Sequence, residues 1–110
     1  MFVRIYTGAD GQSHFEELDA GEGSALFSKV IGATGLVFKN DRPDHIRQWH
    51  PAPRRQYVIT LSGSVEIRIG DGTVKTFRPG DVLLAEDLTG QGHTALPRDW
   101  VRAFVHLDKT

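Results

Sequence analysis

Twelve glycines and five prolines interrupt this chain of 110 residues at short intervals. That punctuation argues against a helical fold. No apolar period of 3.6 residues is sustained over a useful length, so no segment has the apolar stripe a packed helix needs. What lies between the breakers is short and alternating. In "VEIRI" (65–69), Val65, Ile67 and Ile69 share one face, and Glu66 and Arg68 share the other. "GDG" (70–72) and "TVKTF" (73–77) follow, which predicts a β-hairpin with Asp-Gly at the positive-φ positions. "RPGD" (78–81) is a second turn, leading into a buried strand "VLLA" (82–85). "WVRAFVHL" (100–107) alternates again as a closing strand. Earlier candidates are "FVRIY" (2–6), "ALFSKVI" (25–31), "GLVFK" (35–39) and "QYVITL" (56–61). About eight to ten short strands with tight turns predict an all-β sandwich or jelly-roll barrel. No repeat, low-complexity run or linker divides the chain, so one domain over 1–110 is expected.

Composition narrows the function classes. Thirteen basic residues nearly balance fourteen acidic ones, for a net charge of -1. No Lys/Arg block stands out, so neither a nucleic acid nor a membrane surface is an expected partner. Hydrophobic residues at 39% and charged ones at 25% are ordinary for a globular protein. There is no cysteine, which removes disulfides and thiolate ligands and fits a reducing cytoplasm. "MFVRIYTGADG" lacks the basic and apolar regions of a signal peptide. No segment approaches the roughly 20 apolar residues of a membrane span.

The stretch "HPAPRRQYVITLSG" (50–63) and the stretch "PGDVLLAEDLTGQGH" (79–93) carry a resemblance. The chain resembles the cupins, whose first motif runs Gly, five residues, His-x-His, three or four residues, Glu, six residues, Gly. His50, Ala52, Gln56 and Gly63 fall at those spacings, and Asp44 stands for the leading glycine. In the second motif Gly80, Gly90 and His93 match, Glu86 replaces a proline, and Leu88-Thr89 look like an insertion. The likeness covers residues 35–107. It is closest to small single-domain cupins with "SHFE", "HxAPRRQ" and "EDxTGxGH" segments, here Ser13 to Glu16, His50 to Gln56 and Glu86 to His93. It implies a single-domain cupin jelly-roll β-barrel with a site inside the barrel. It does not imply one activity, because one fold hosts many.

Carried over residue by residue, the resemblance makes His50, Gln56 and His93 the three candidate metal ligands, and Ala52 a lost fourth. Three protein ligands with open positions is a catalytic arrangement, and imidazole suits Zn, Fe, Ni or Mn. All three donors are neutral, so the alternative is a metal-free barrel in which they bond to one another or to a ligand. Gln56 shares a strand face with Val58 and Thr60, which is consistent with a site.

Without a metal, His50 or His93 is a candidate general base near neutral pH. Glu86 and Asp87 are adjacent carboxylates after a buried strand. At most one points inward, and an inward Glu86 would suit general-acid work. The plainer expectation for the pair is a solvated turn. Arg54 and Arg55 alternate at a strand start, so one is expected to reach the barrel mouth and grip an anionic substrate. The alternative for that arginine is a surface or subunit salt bridge. Trp49 is a candidate wall for a planar substrate, with packing as its alternative. His45 and His14 are expected outside the site. On the last strand the aliphatic face of Val101, Ala103, Val105 and Leu107 suits the core, which predicts that His106 points outward.

Two functions follow from these residues. One is a small-molecule enzyme, a metal-dependent oxygenase, isomerase or lyase. The other is a binding or sensing cupin without metal. The apolar early segment 25–38 also predicts a homodimer through a protected edge.

Overall fold

Alternation and turns decide the architecture. The computed structural model describes residues 1–25, 27–41 and 47–108. Its strands are β1 (Phe2–Thr7), β2 (Ser13–Glu17), β3 (Ala33–Asp41), β4 (Arg47–His50), β5 (Gln56–Arg68), β6 (Val74–Phe77), β7 (Val82–Glu86) and β8 (His93–Leu107). The described residues contain no helix, so the all-β expectation holds. None of them forms a helix long and apolar enough to cross a membrane.

Both expected turns form, but of the Asp-Gly pair only Gly72 takes a positive φ, 91°, and Asp71 does not. At 70–72, Ile69 N–H donates to Thr73 O over 3.0 Å, and Asp71 Oδ1 takes the Thr73 N–H over 2.8 Å. The Thr73 hydroxyl first, and then its N–H, hold the Asp71 carboxyl below its usual range. At 78–81, Asp81 Oδ2 accepts from Arg78 N–H over 2.9 Å. Side chains that bond the backbone two or three residues away are what stabilise such turns.

Three expectations about the strands need correction. Segment 25–31 is not a strand: Ala25 and residues 27–31 are turn, bend or irregular, and Leu26 lies outside the described residues. Val30 is fully exposed and Ile31 is exposed, while Phe27 is partly covered by an edge-on contact with Phe2. β2 and β4 form although no sequence alternation marked them. β5 and β8 are also longer than expected, because each runs through what looked like a break.

The sheet order is β2-β1-β7-β5-β8-β3, with β4 added to β8 and β6 added to β5. Only β1 and β7 pair in parallel. The two long strands organise the rest. The first part of β5 lies between β7 and β8, and its last part lies between β6 and β8. The end of β8 pairs β3, and its beginning pairs β4. The sheet therefore forks into two wings that share β5 and β8.

The fork sits at a bulge. Register shifts between Thr60 and Ser62 and between Ser62 and Ser64 take in Gly63, whose φ is 66°, and lie across from Asp99, whose φ is 47°. A Cβ on residue 63 would sit 2.2 Å from the Asp99 carbonyl oxygen, so only glycine fits there. A bulge adds a residue on one side and bends the strand. It also reverses parity. Gln56, Val58 and Thr60 are buried before it, and Val65 and Ile67 after it.

One core cluster takes residues from both wings: Val3, Ile5, Val58 and Leu83 from one, Val65, Ile67, Phe77 and Ala95 from the other. Ile5 and Phe77 are almost wholly buried, and each contributes about 1.5–3 kcal/mol. The radius of gyration is 13.5 Å, the size of one compact domain.

Candidate functional site

A cavity of about 560 Å³ opens against β3, β4, β5, β7 and β8. The 51–54 turn closes one side of it. His50, Gln56 and His93 all line it, so the structure brings together the three residues that the sequence singled out.

His50 ends β4 and His93 begins β8, and the two are register partners. Their ring centroids lie 4.8 Å apart. The approach depends on Gly92, whose φ is 77° and where a Cβ would sit 2.0 Å from the His50 carbonyl oxygen. Each imidazole is held by its Nδ1. His50 Nδ1 donates to Gln48 O over 2.7 Å. His93 Nδ1 donates to Asp87 Oδ2 over 2.7 Å. An Nδ1 that donates leaves Nε2 with its lone pair, so Nε2 is the basic nitrogen on both rings.

Asp87 is the residue that sequence reasoning missed. It follows β7, is wholly buried, and accepts on Oδ2 from both His93 and Ser13 Oγ, each over 2.7 Å. Its backbone carbonyl takes the Ala52 N–H over 2.9 Å. Ala52 thus binds no ligand but packs in the core and ties the turn to Asp87. Burying a carboxylate is costly unless it is paired and hydrogen-bonded, and Ser13 and His93 supply that. Asp87 Oδ1 is buried with no hydrogen-bond partner. Ser13, on β2, was quoted in the sequence only as part of "SHFE".

Glu86 requires a correction. It is not part of the cavity wall. Its carboxylate accepts from Arg4 Nε over 2.6 Å and from Arg55 Nε. Burial pushes its pKa up, but the hydrogen bonds from Arg55 and Arg4 outweigh that and hold it below the usual carboxylate range. An ionised Glu86 between two guanidinium groups is no general acid. It is an ion-pair anchor between β1, β7 and the turn before β5.

Arg54 and Arg55 alternate as expected. Arg54 is the one on the cavity, and its Nη1 donates to His106 Nε2 over 3.0 Å. Arg55 is spent on Glu86 and does not line the cavity, a second correction. Trp49 is a third: it is 40% exposed and off the wall. The cavity indole is Trp100, whose Nε1–H donates to Thr60 Oγ1 over 3.1 Å, with the Arg102 guanidinium 4.1 Å from its ring centroid.

His106 also departs from expectation. It lines the cavity with Trp100, Arg102 and Phe104. The inner surface of β8 is therefore its polar and aromatic face. A strand that borders a ligand-sized space need not present its aliphatic side there. His14 bonds Asp10 over 3.0 Å outside the cavity. Asp44 and His45 lie outside the described residues.

Among the described residues no three His, Cys, Asp or Glu side chains form a metal-binding group. His50, Gln56 and His93 supply only neutral donors, and no described carboxylate lines the cavity. Lys39 and Arg54 line it instead, and both would repel a dication. No family model and no curated protein matches this sequence.

Proposed function

We propose that this chain is a small-molecule enzyme in which His93, oriented by Asp87, moves a proton on a ligand held in the cavity. The buried Asp87–His93 contact beside a cavity of about 560 Å³ carries the reading. Asp87 holds the imidazole in one tautomer. Nε2 of His93 takes a proton from substrate carbon, the Asp87 carboxylate stabilises the imidazolium, and the same proton returns at a second position. That is the chemistry of an isomerase. It needs no metal and no electron carrier. His50, its ring tilted against that of His93 and its own Nε2 free of the Gln48 contact, is the second acid–base group.

In this reading the chain is a single-domain cupin of the small cytoplasmic kind, on the spacing of His50, Gln56, Gly63, Gly80 and His93. It works as a homodimer joined along β3, an end strand that carries exposed Leu36 and Phe38.

The test is hydrogen exchange. The protein is placed in D2O with a panel of small carbonyl-containing carboxylates, and loss of the α-proton signal is followed by NMR. Wild type exchanges protons above the buffer rate, and His93→Gln does not. The rival reading, a binding or sensing module, is favoured by the apolar part of the wall, Val58, Ile67, Leu83, Ala85 and Ala95. Ligand binding without exchange, the same in wild type and His93→Gln, would establish the rival.

A further inference from the structure

Among the described residues the charges around the cavity are one-sided. Lys39 from β3, Arg47 from β4, Arg54 from the 51–55 turn and Arg102 from β8 all line it. No described carboxylate does. Asp87 stands behind His93, and Glu86 lies outside the wall. Arg47 and Arg102 make further contacts of their own. Arg54 is the informative one. Arg4 and Arg55 meet the carboxylate of Glu86, but the partner of Arg54 is the neutral acceptor Nε2 of His106. That bond uses one of five N–H donors and cancels no charge. Arg54 is itself exposed, so its remaining donors stand at the cavity mouth within reach of a ligand arriving from solvent.

Val58, Ile67, Leu83 and Ala85 give the same cavity an apolar lining. A site with a guanidinium at its mouth and an apolar lining selects a ligand with a planar anionic end and an apolar body. The turn sets the scale. Arg54 is four residues from His50, so their Cα atoms are at most about 14 Å apart. A ligand of a few carbons reaches from the guanidinium to the imidazole pair.

We infer that the cavity binds a small monocarboxylate, its carboxylate bidentate on Arg54 and its apolar body along β5 and β7. The inference rests on the acid–base reading for its consequence, that the bound acid is the substrate, but the binding claim stands separately. Arg54 sets specificity and His106 positions it.

The probe is hexanoate against hexanamide, which has the same body without the charge. Binding to the full chain is followed by calorimetry and by amide shifts in labelled protein. Hexanoate is expected to shift the amides of Arg54, Phe104 and His106. It should bind at least about tenfold tighter than hexanamide. Arg54→Gln brings hexanoate down to the hexanamide level. Arg54→Lys, which keeps the charge but loses the fork, falls between. Arg68→Gln, an exposed arginine away from the cavity, leaves binding unchanged. Dispersed amide spectra show that each variant folds. Equal affinity for acid and amide, an Arg54→Gln variant that binds as wild type does, or no binding of hexanoate at about 10 mM would each overturn the inference. Hexanoate bound through Arg54 with no proton exchange on any substrate leaves the carboxylate pocket standing and removes the acid–base reading. Exchange that depends on His93 in a protein indifferent to hexanoate does the reverse.

Discussion

Glu86 and Asp87 are consecutive residues with opposite fates. The first sits between the guanidinium groups of Arg4 and Arg55, and the second is buried against His93 and Ser13. Strand alternation at the end of β7 separates them. One carboxylate anchors strands. The other sets the tautomer of an imidazole in the cavity.

Replacing Asp87 tests the second role. In Asp87→Asn an amide N–H can face His93 Nδ1, which favours the other tautomer. Proton exchange should fall by about a hundredfold or more while the fold persists. Asp87→Ala leaves buried donors unpaired and should destabilise by about 2–4 kcal/mol. Ser13→Ala should lose about 1 kcal/mol. Urea melts and exchange rates separate these outcomes. Full activity in Asp87→Asn would remove the orienting role.

The Glu86 network predicts a pH dependence with a definite sign. Its folded pKa is lowered, so its contribution is present above the unfolded carboxylate pKa of about 4.3 and is lost as pH falls through the folded value. Glu86→Gln should be about 1–2 kcal/mol less stable than wild type at neutral pH. The difference should close in strong acid. Urea melts across the acid range check it. Hexanoate affinity should not change, because Glu86 is off the wall.

Metal content is a direct check on the donor argument. Elemental analysis of untagged protein should find well under one transition metal per chain. A stoichiometric metal that is lost in His93→Ala would show that two imidazoles and Gln56 suffice, and the metal-free mechanism would fall.

Gly92 is a backbone requirement of the site. Gly92→Ala puts a methyl group against the His50 carbonyl in a left-handed conformation. A loss of about 2 kcal/mol or more is expected, with the His50 and His93 ring signals displaced. An unperturbed His93 spectrum would contradict the close approach.

The end strand β3 turns Leu36 and Phe38 outward, 60% and 65% exposed. The chain should be a dimer by light scattering at micromolar concentration. Phe38→Asp should be a monomer with the fold retained. A monomeric wild type would refute the dimer.

Local chemistry was legible in the sequence. The alternation of 65–69, the turns at 70–72 and 78–81 and the all-β character each depend on neighbours in the chain, and each formed. Gln56 shares the buried face with Val58 and Thr60, although Tyr57 and Ile59 make the other face the more apolar one. Facing was legible only where the two sides of a strand differ. In "VLLAED" both sides are apolar, so nothing local says whether Leu83 and Ala85 or Val82 and Leu84 border the cavity. The choice between Asp87 and Glu86 hangs on that. In β8 the aliphatic side looked like the inner one, and the cavity reversed it for His106. Segment 25–31 has the apolar content of a strand, yet its described residues are turn, bend or irregular and largely exposed. Hydrogen bonding to the next residue or two is written in the sequence. Which side of a strand borders empty space depends on chain dozens of residues away, and only the tertiary structure decides it.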